Sequence, residues 1–178
     1  MKKIFLALIC TIIAFCATTQ ARAADATDPV LIGSYDGWNA YHFRDKGGPV
    51  CFMSRAADKQ EGKFKKRGKV VFFVTHYSAD KDKNVVSVSG GYDFKPKDLV
   101  TLSIKSKKFP LYAQGGMAWT KDQTEDNAVI KELLAGATMT IKGTSSRGTS
   151  TADTYNLKGS TEAYRAITKD CGADKDKK

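Results

Sequence analysis

The first 23 residues decide in which compartment this chain folds, and so what can hold it together. Lys2 and Lys3 precede an apolar run from Ile4 to Ala17, and Ala21-Arg22-Ala23 supplies the small-x-small pattern after which signal peptidase cuts. The expectation is a cleaved signal peptide over residues 1–23. A retained membrane anchor is the competing reading, but the run is about 14 residues long and a bilayer takes roughly 20. Lipid attachment would need a small residue before Cys10 or Cys16, where Ile9 and Phe15 stand. The expected location after Sec-type export is the periplasm or the outer, extracellular surface, with no transmembrane segment after cleavage.

Cleavage after Ala23 removes Lys2, Lys3 and Arg22 and no acid, so the formal charge falls from +10 to +7 as 178 residues become 155. That length suits one globular domain with a modest core, expected over residues 24–172, followed by a charged, disordered tail at 173–178. Two cysteines remain, Cys51 and Cys171, where thiols are usually oxidised, and a disulfide between them is the natural inference; two free thiols are the alternative. Neither belongs to a C-x-x-C pair, and neither has a histidine close in sequence, which argues against a redox or nucleophilic role. A bridge would enclose nearly the whole mature chain and staple its C-terminus to the body.

Along the mature chain short β-type segments follow one another. Trp38 to Arg44 and Val50 to Ser54 flank the turn Lys46-Gly47-Gly48-Pro49 and read as a hairpin. A basic loop from Lys59 to Gly68 leads to Lys69–Ser78, whose unbroken Val70-Val71-Phe72-Phe73-Val74 predicts a central strand buried on both faces. A charged turn at Asp80–Asn84 precedes Val85–Ser89, and Leu99–Lys105 alternates with Val100, Leu102 and Ile104 on one side. Phe109–Ala113 and Met117–Trp119 pair around Gln114-Gly115-Gly116. Asp122 and Glu125 resemble a capping box for a helix carrying Val129, Ile130, Leu133 and Leu134, with Gly136 as its stop. Ala137–Thr144 and Thr149–Leu157 predict two more strands, and Ser160 is placed as the cap of a last helix toward Cys171. So many short strands with local turns predict a mainly β fold, two packed antiparallel sheets closed at one end by a helix.

Few chemistries fit. His42 and His76 stand far apart, without H-E-x-x-H, a cysteine quartet or an Asp-rich calcium loop, so neither a metal site nor a cofactor is expected. Gly143-Thr144-Ser145-Ser146-Arg147-Gly148 fails the G-x-S-x-G spacing of a nucleophile elbow and reads as a hairpin turn. Its hydroxyls and guanidinium, on Thr144, Ser145, Ser146 and Arg147, give it a second reading as an anion site. Lys63, Lys65, Lys66 and Arg67, with Lys105, Lys107 and Lys108, form two basic clusters that predict either a solvated surface or one basic face for an anionic partner. Nucleic acid is not expected as that partner, because export sets these clusters beside lipid head groups, wall polymers or host glycans. Trp38, Tyr41, Phe43, Tyr92, Tyr112 and Trp119 fit a sandwich core, with a ligand groove as the alternative.

Several stretches together resemble a known family. They are Tyr35-Asp36-Gly37-Trp38, Val50-Cys51-Phe52, Val85-Val86-Ser87-Val88, Gly91-Tyr92-Asp93-Phe94-Lys95-Pro96, Lys108-Phe109-Pro110-Leu111-Tyr112, Ala118-Trp119, Lys142 to Thr149 and Asp153-Thr154-Tyr155. In this order they resemble the invasion-associated locus B (IalB) proteins, across nearly the whole mature chain. The resemblance implies an immunoglobulin-like antiparallel β-sandwich with one or two short helices, a place in the envelope or at the surface, and no catalytic residues. Some members carry a cysteine shortly after the first tryptophan, where this chain has Asn39, Ala40, Tyr41 and His42; a second disulfide is therefore not expected. The family name records host-cell invasion by a few pathogens. Two functional readings follow: a non-enzymatic envelope protein binding a periplasmic or outer-membrane partner, and a secreted or surface module that meets host molecules through its basic face and contributes to virulence. An enzyme stands third.

Overall fold

The structure is a computed structural model in which residues 28–77 and 83–171 are described. The expected signal peptide, the expected tail and the charged turn, apart from Lys83 and Asn84, lie outside the described residues. Among the described residues there are eleven strands and two helices: β1 Val30–Tyr35, β2 Trp38–Asp45, β3 Gly48–Ala56, β4 Lys59–Gly62, β5 Val71–Tyr77, β6 Val85–Ser89, β7 Val100–Ile104, β8 Lys107–Gln114, β9 Met117–Trp119, α1 Gln123–Ala135, β10 Thr138–Thr144, β11 Ser150–Asn156 and α2 Ser160–Asp170. Every pairing is antiparallel, in the order β1-β2-β3-β5-β6-β9-β8-β7-β10-β11-β4.

That sheet closes over itself because β8 is shared. Lys107–Leu111 pairs with β7, while Tyr112–Gln114 pairs with β9. At the other corner β3 runs through Ala57 and Asp58 into β4, which pairs with β11. The two halves thus face each other as the expected β-sandwich. The Trp38 indole N–H donates across the gap to the Asn156 carbonyl at 3.1 Å, and Phe72 meets Tyr155 with ring centroids 6.2 Å apart.

Strand alternation sorts residues into inside and outside. Ala40, Met53, Val74 and Val86 stand in register on the inner face of β2, β3, β5 and β6, and all are fully buried. Val100, Leu102, Ile104, Met139, Ile141 and Tyr155 line the facing half. Helix α2 packs on β1, β2, β3 and β5 and sinks Ala163 and Ile167 into the core; α1 packs on β6 and β8 with Val129, Ile130 and Leu133 buried. The outer face of β2, β3 and β5 carries an aromatic band, with Phe52 stacked on Tyr41 at 5.0 Å and packed against Phe43 and Phe73.

Most local expectations are met, and the differences have physical causes. Strand β5 is interior to the sheet, but it alternates: Phe72, Val74 and His76 are buried, and Val71, Phe73, Thr75 and Tyr77 are only half-buried because no layer covers the outer face. The Lys59–Gly68 loop begins as a strand, β4, whose pairing with β11 offsets the lack of any apolar pattern. Strand β1, unread in the sequence, pairs with β2 through a tight Asp36-Gly37 turn. Asp122 caps α1 by accepting from Thr124 and Glu125 N–H, while Glu125 reaches the Lys121 N–H. Gly136 ends that helix in extended backbone; an added Cβ would stand 2.7 Å from Ile104, so close packing selects the glycine. Ser160 is the first residue of α2, buried, and Gly159 takes the cap position at φ 86°.

Helix α2 is held over the sheet by the disulfide between Cys51 and Cys171, which are 120 residues apart in sequence. Replacing both cysteines with alanine is expected to cost about 2–5 kcal/mol of stability, read as a lower urea midpoint. Beside this bond lies His76, 2% exposed. Its Nδ1 accepts the Asn84 N–H at 3.1 Å, so its Nε2 carries the proton and donates to Thr168 Oγ1 at 3.1 Å. Burial first, and then the charge of Lys83, lower its pKa from 6.5 to about 4. The unfolded chain accordingly takes up a proton that the folded chain refuses. Stability should fall as pH drops from 6.5 towards 4, and that loss should be smaller in His76→Gln, as checked by urea unfolding at both pH values.

Candidate functional site

The segment between β4 and β5 is fastened to the loop after β6. Gly68 N–H donates to the Gly91 carbonyl at 2.8 Å, and Arg67 Nε donates to the Gly90 carbonyl at 2.8 Å. Gly91 sits at φ 69°, and an added Cβ would lie 2.6 Å from the Gly68 carbonyl oxygen, so only glycine lets the two backbones approach.

Arg67 is the pillar of this junction. Its two terminal nitrogens donate to Asp153 of β11 at 2.6 and 2.8 Å, and the two side chains are 3% and 4% exposed. The guanidinium lies 4.8 Å from the Tyr92 ring centroid and 5.3 Å from that of Phe64. A planar, two-pronged cation stacked on rings and matched to a carboxylate is a geometry that lysine cannot reproduce. Tyr92 completes the floor, its hydroxyl 2.6 Å from Thr151 Oγ1, and burial pushes its phenol above the ordinary range.

The hairpin turn joining β10 and β11 forms the opposite wall. Phe94 bridges to Ser145, Lys95 N–H donates to the Thr144 carbonyl, and Ser146 N–H donates to the Asp93 carbonyl at 2.7 Å. Inside the turn, Gly148 N–H donates to the Ser145 carbonyl, Ser145 N–H to the Thr149 carbonyl, and Thr149 N–H to Ser145 Oγ. Between the two walls lies a cleft of about 470 Å³ lined by Lys63, Phe64, Lys65, Lys66, Arg67, Tyr92, Asp93, Ser145, Ser146, Arg147, Thr149 and Thr151. Its size falls in the range of small-ligand clefts.

Two separate features of the sequence, the Lys63–Arg67 cluster and the Ser145–Arg147 turn, therefore share one site. Thr144 is not among the residues lining it. Arg67 is buried and paired, so it supports the cleft instead of offering a free charge. The Lys105, Lys107 and Lys108 cluster lies at the opposite end of β7 and β10, where Ile104 pairs with Met139; Lys142, toward the cleft, pairs with Thr101. The two basic clusters are consequently separate, and no single basic face joins them. Of the aromatics, Trp38 is core and Tyr92 lines the cleft. Phe64, Asp93 and Thr151 are further lining residues; the phenylalanine between two lysines was the one visible sign of them. Among the described residues no three of His, Cys, Asp and Glu gather as a metal site, and no helix is long and apolar enough to cross a membrane.

The family model for invasion associated locus B (IalB) protein matches residues 38–168. The crystal structure of invasion associated protein B from Bartonella henselae superposes with a TM-score of 0.54 at 20% identity, covering 79% of this chain and 97% of that one. No curated protein sequence matches the chain.

The buried ion pair generates a test of how the cleft is supported. Arg67→Met alone leaves the Asp153 carboxylate buried without its partner and should cost about 3–5 kcal/mol. Adding Asp153→Leu should recover most of that loss. Urea unfolding of the two variants checks the order.

Proposed function

Because the chain belongs to the invasion associated locus B family, we propose that it is an exported, non-enzymatic protein of the cell envelope that acts by binding a partner in the periplasm or outer membrane. The observation that carries the binding part is the cleft itself. Two segments some eighty residues apart, Lys63–Arg67 and Ser145–Thr149, are held as the walls of one cation-rich concavity, the first by a buried ion pair to Asp153 of β11 and the second by a backbone hydrogen bond to Asp93. Such fixed, preorganised walls suit recognition of a ligand. A nucleophile poised beside a base would be needed for covalent turnover, and two of the cleft hydroxyls are engaged otherwise: Ser145 with Thr149 N–H, Thr151 with Tyr92.

Export is supported by the Cys51–Cys171 disulfide, which belongs to an oxidising compartment, and by the leader pattern of residues 1–23. The test combines thiol state with protease access. In acid-quenched cells, a maleimide-polymer reagent should label Cys51 and Cys171 only after reduction. Added protease should degrade the protein only after the outer membrane is permeabilised. Reduced thiols would overturn export; digestion in intact cells would replace the periplasmic location with a surface one.

A further inference from the structure

We propose that the cleft between the 63–67 segment and the 145–149 turn binds an acidic glycan, a chain of sugar rings bearing carboxylates or sulfates. This deepens the binding function given above and rests on it.

The hydrogen bonds within the turn decide against a compact phosphate. A phosphate nest needs backbone N–H groups pointing at the ion, yet those of Ser145, Ser146, Gly148 and Thr149 already donate to Thr149, Asp93, Ser145 and the Ser145 hydroxyl. With these four N–H groups committed, attraction for an anion comes chiefly from side chains. Lys63, Lys65, Lys66 and Arg147 are exposed, and none forms an ion pair with a described residue. Asp93 is the one acid of the lining; Asp153 lies outside it and is paired with Arg67. Long cations spread around an open cleft match charges repeated along a chain better than one concentrated charge.

The lining also carries what a sugar ring needs. Phe64 is 38% exposed, with the Arg67 guanidinium packed on its ring, so an apolar face is held ready at the mouth. Tyr92, Ser146 and Thr149 add a second ring and hydroxyls close by. Aromatic faces take the C–H side of a pyranose, hydroxyls its hydroxyls, and lysines its acid groups. An acidic polypeptide would use the lysines without needing the ring, and this difference separates the two ligands.

The experiment titrates the purified, disulfide-bonded protein with oligogalacturonate, dextran sulfate, a neutral galactose oligomer of equal length and poly-glutamate of equal charge, by calorimetry at low and physiological salt. The acidic glycans should bind with an affinity that falls as salt rises, and the neutral oligomer should not bind. Comparing the uronate with the sulfated polymer tells which acid group is preferred. Lys65→Glu/Lys66→Glu should weaken binding at least tenfold with the thermal midpoint unchanged. Phe64→Ala should weaken glycan binding severalfold while leaving any poly-glutamate attraction untouched. Equal binding of poly-glutamate, or an indifferent Phe64→Ala, would overturn the glycan assignment in favour of plain charge attraction. If no acidic polymer binds but a photo-crosslinker at position 146 captures an envelope protein in cells, the glycan inference fails and the binding function stands. Reduced, cytoplasmic protein in the thiol test would instead remove the envelope setting on which both depend.

Discussion

Backbone hydrogen bonding along β8 is the constraint on which this architecture depends. Its first five residues satisfy their partners in β7 and its last three do so in β9. Buried amides and carbonyls must be paired, so one strand serving both neighbours forces a single sheet of eleven strands to fold onto itself. The inner surface created by that fold is closed at one end by the two helices. The core then follows from alternation: the residues that face inward along β2, β3, β5, β7, β10 and β11 are mostly apolar. Several buried polar groups are answered, as by the Arg67–Asp153 pair or by Asp126, which accepts the Val86 N–H; the buried Tyr155 hydroxyl has no hydrogen-bond partner among the described residues.

The corner opposite β8 depends on ions as much as on strands. Arg55 donates to both oxygens of Asp58 and to the Asp36 carbonyl, and Asp58 also accepts the Asn156 N–H at 2.7 Å. The Arg55 hydrogen bond, foremost, holds the Asp58 carboxyl below its usual range. One cluster thus joins the β1–β2 turn, the β3–β4 passage and the end of β11. Arg67 does the same work nearer the cleft. The two arginines set where β4 and the basic segment can lie, which places the cationic wall relative to the turn.

What was legible in the sequence was local. Val100, Leu102 and Ile104 alternate over adjacent residues, and the turns at Gly47 and Gly115 join neighbours, so these elements declare themselves. Asp36-Gly37 is an equally strong hairpin signal, but exposed Val30 and Leu31 blur the pattern of β1. Strand β4 could not be read: Lys59-Gln60-Glu61-Gly62 is exposed throughout and owes its form to β11, ninety residues away. Each wall of the cleft was visible as a cluster, but not their meeting. Nothing in Lys65-Lys66-Arg67 says that the third cation turns inward; its partner Asp153 is 86 residues distant, and only the tertiary fold brings it near.

The disulfide also has a temporal meaning. A chain that emerges N-terminus first presents β1 to β3, with Cys51, long before α2 exists, and the inner face those strands offer to α2 stays open until the last described residues arrive. The Cys51–Cys171 bond spans 120 residues of sequence, and contacts of such separation are slow to find. Its closure therefore timestamps maturation: an oxidised molecule is one whose whole domain has emerged and whose final helix has docked.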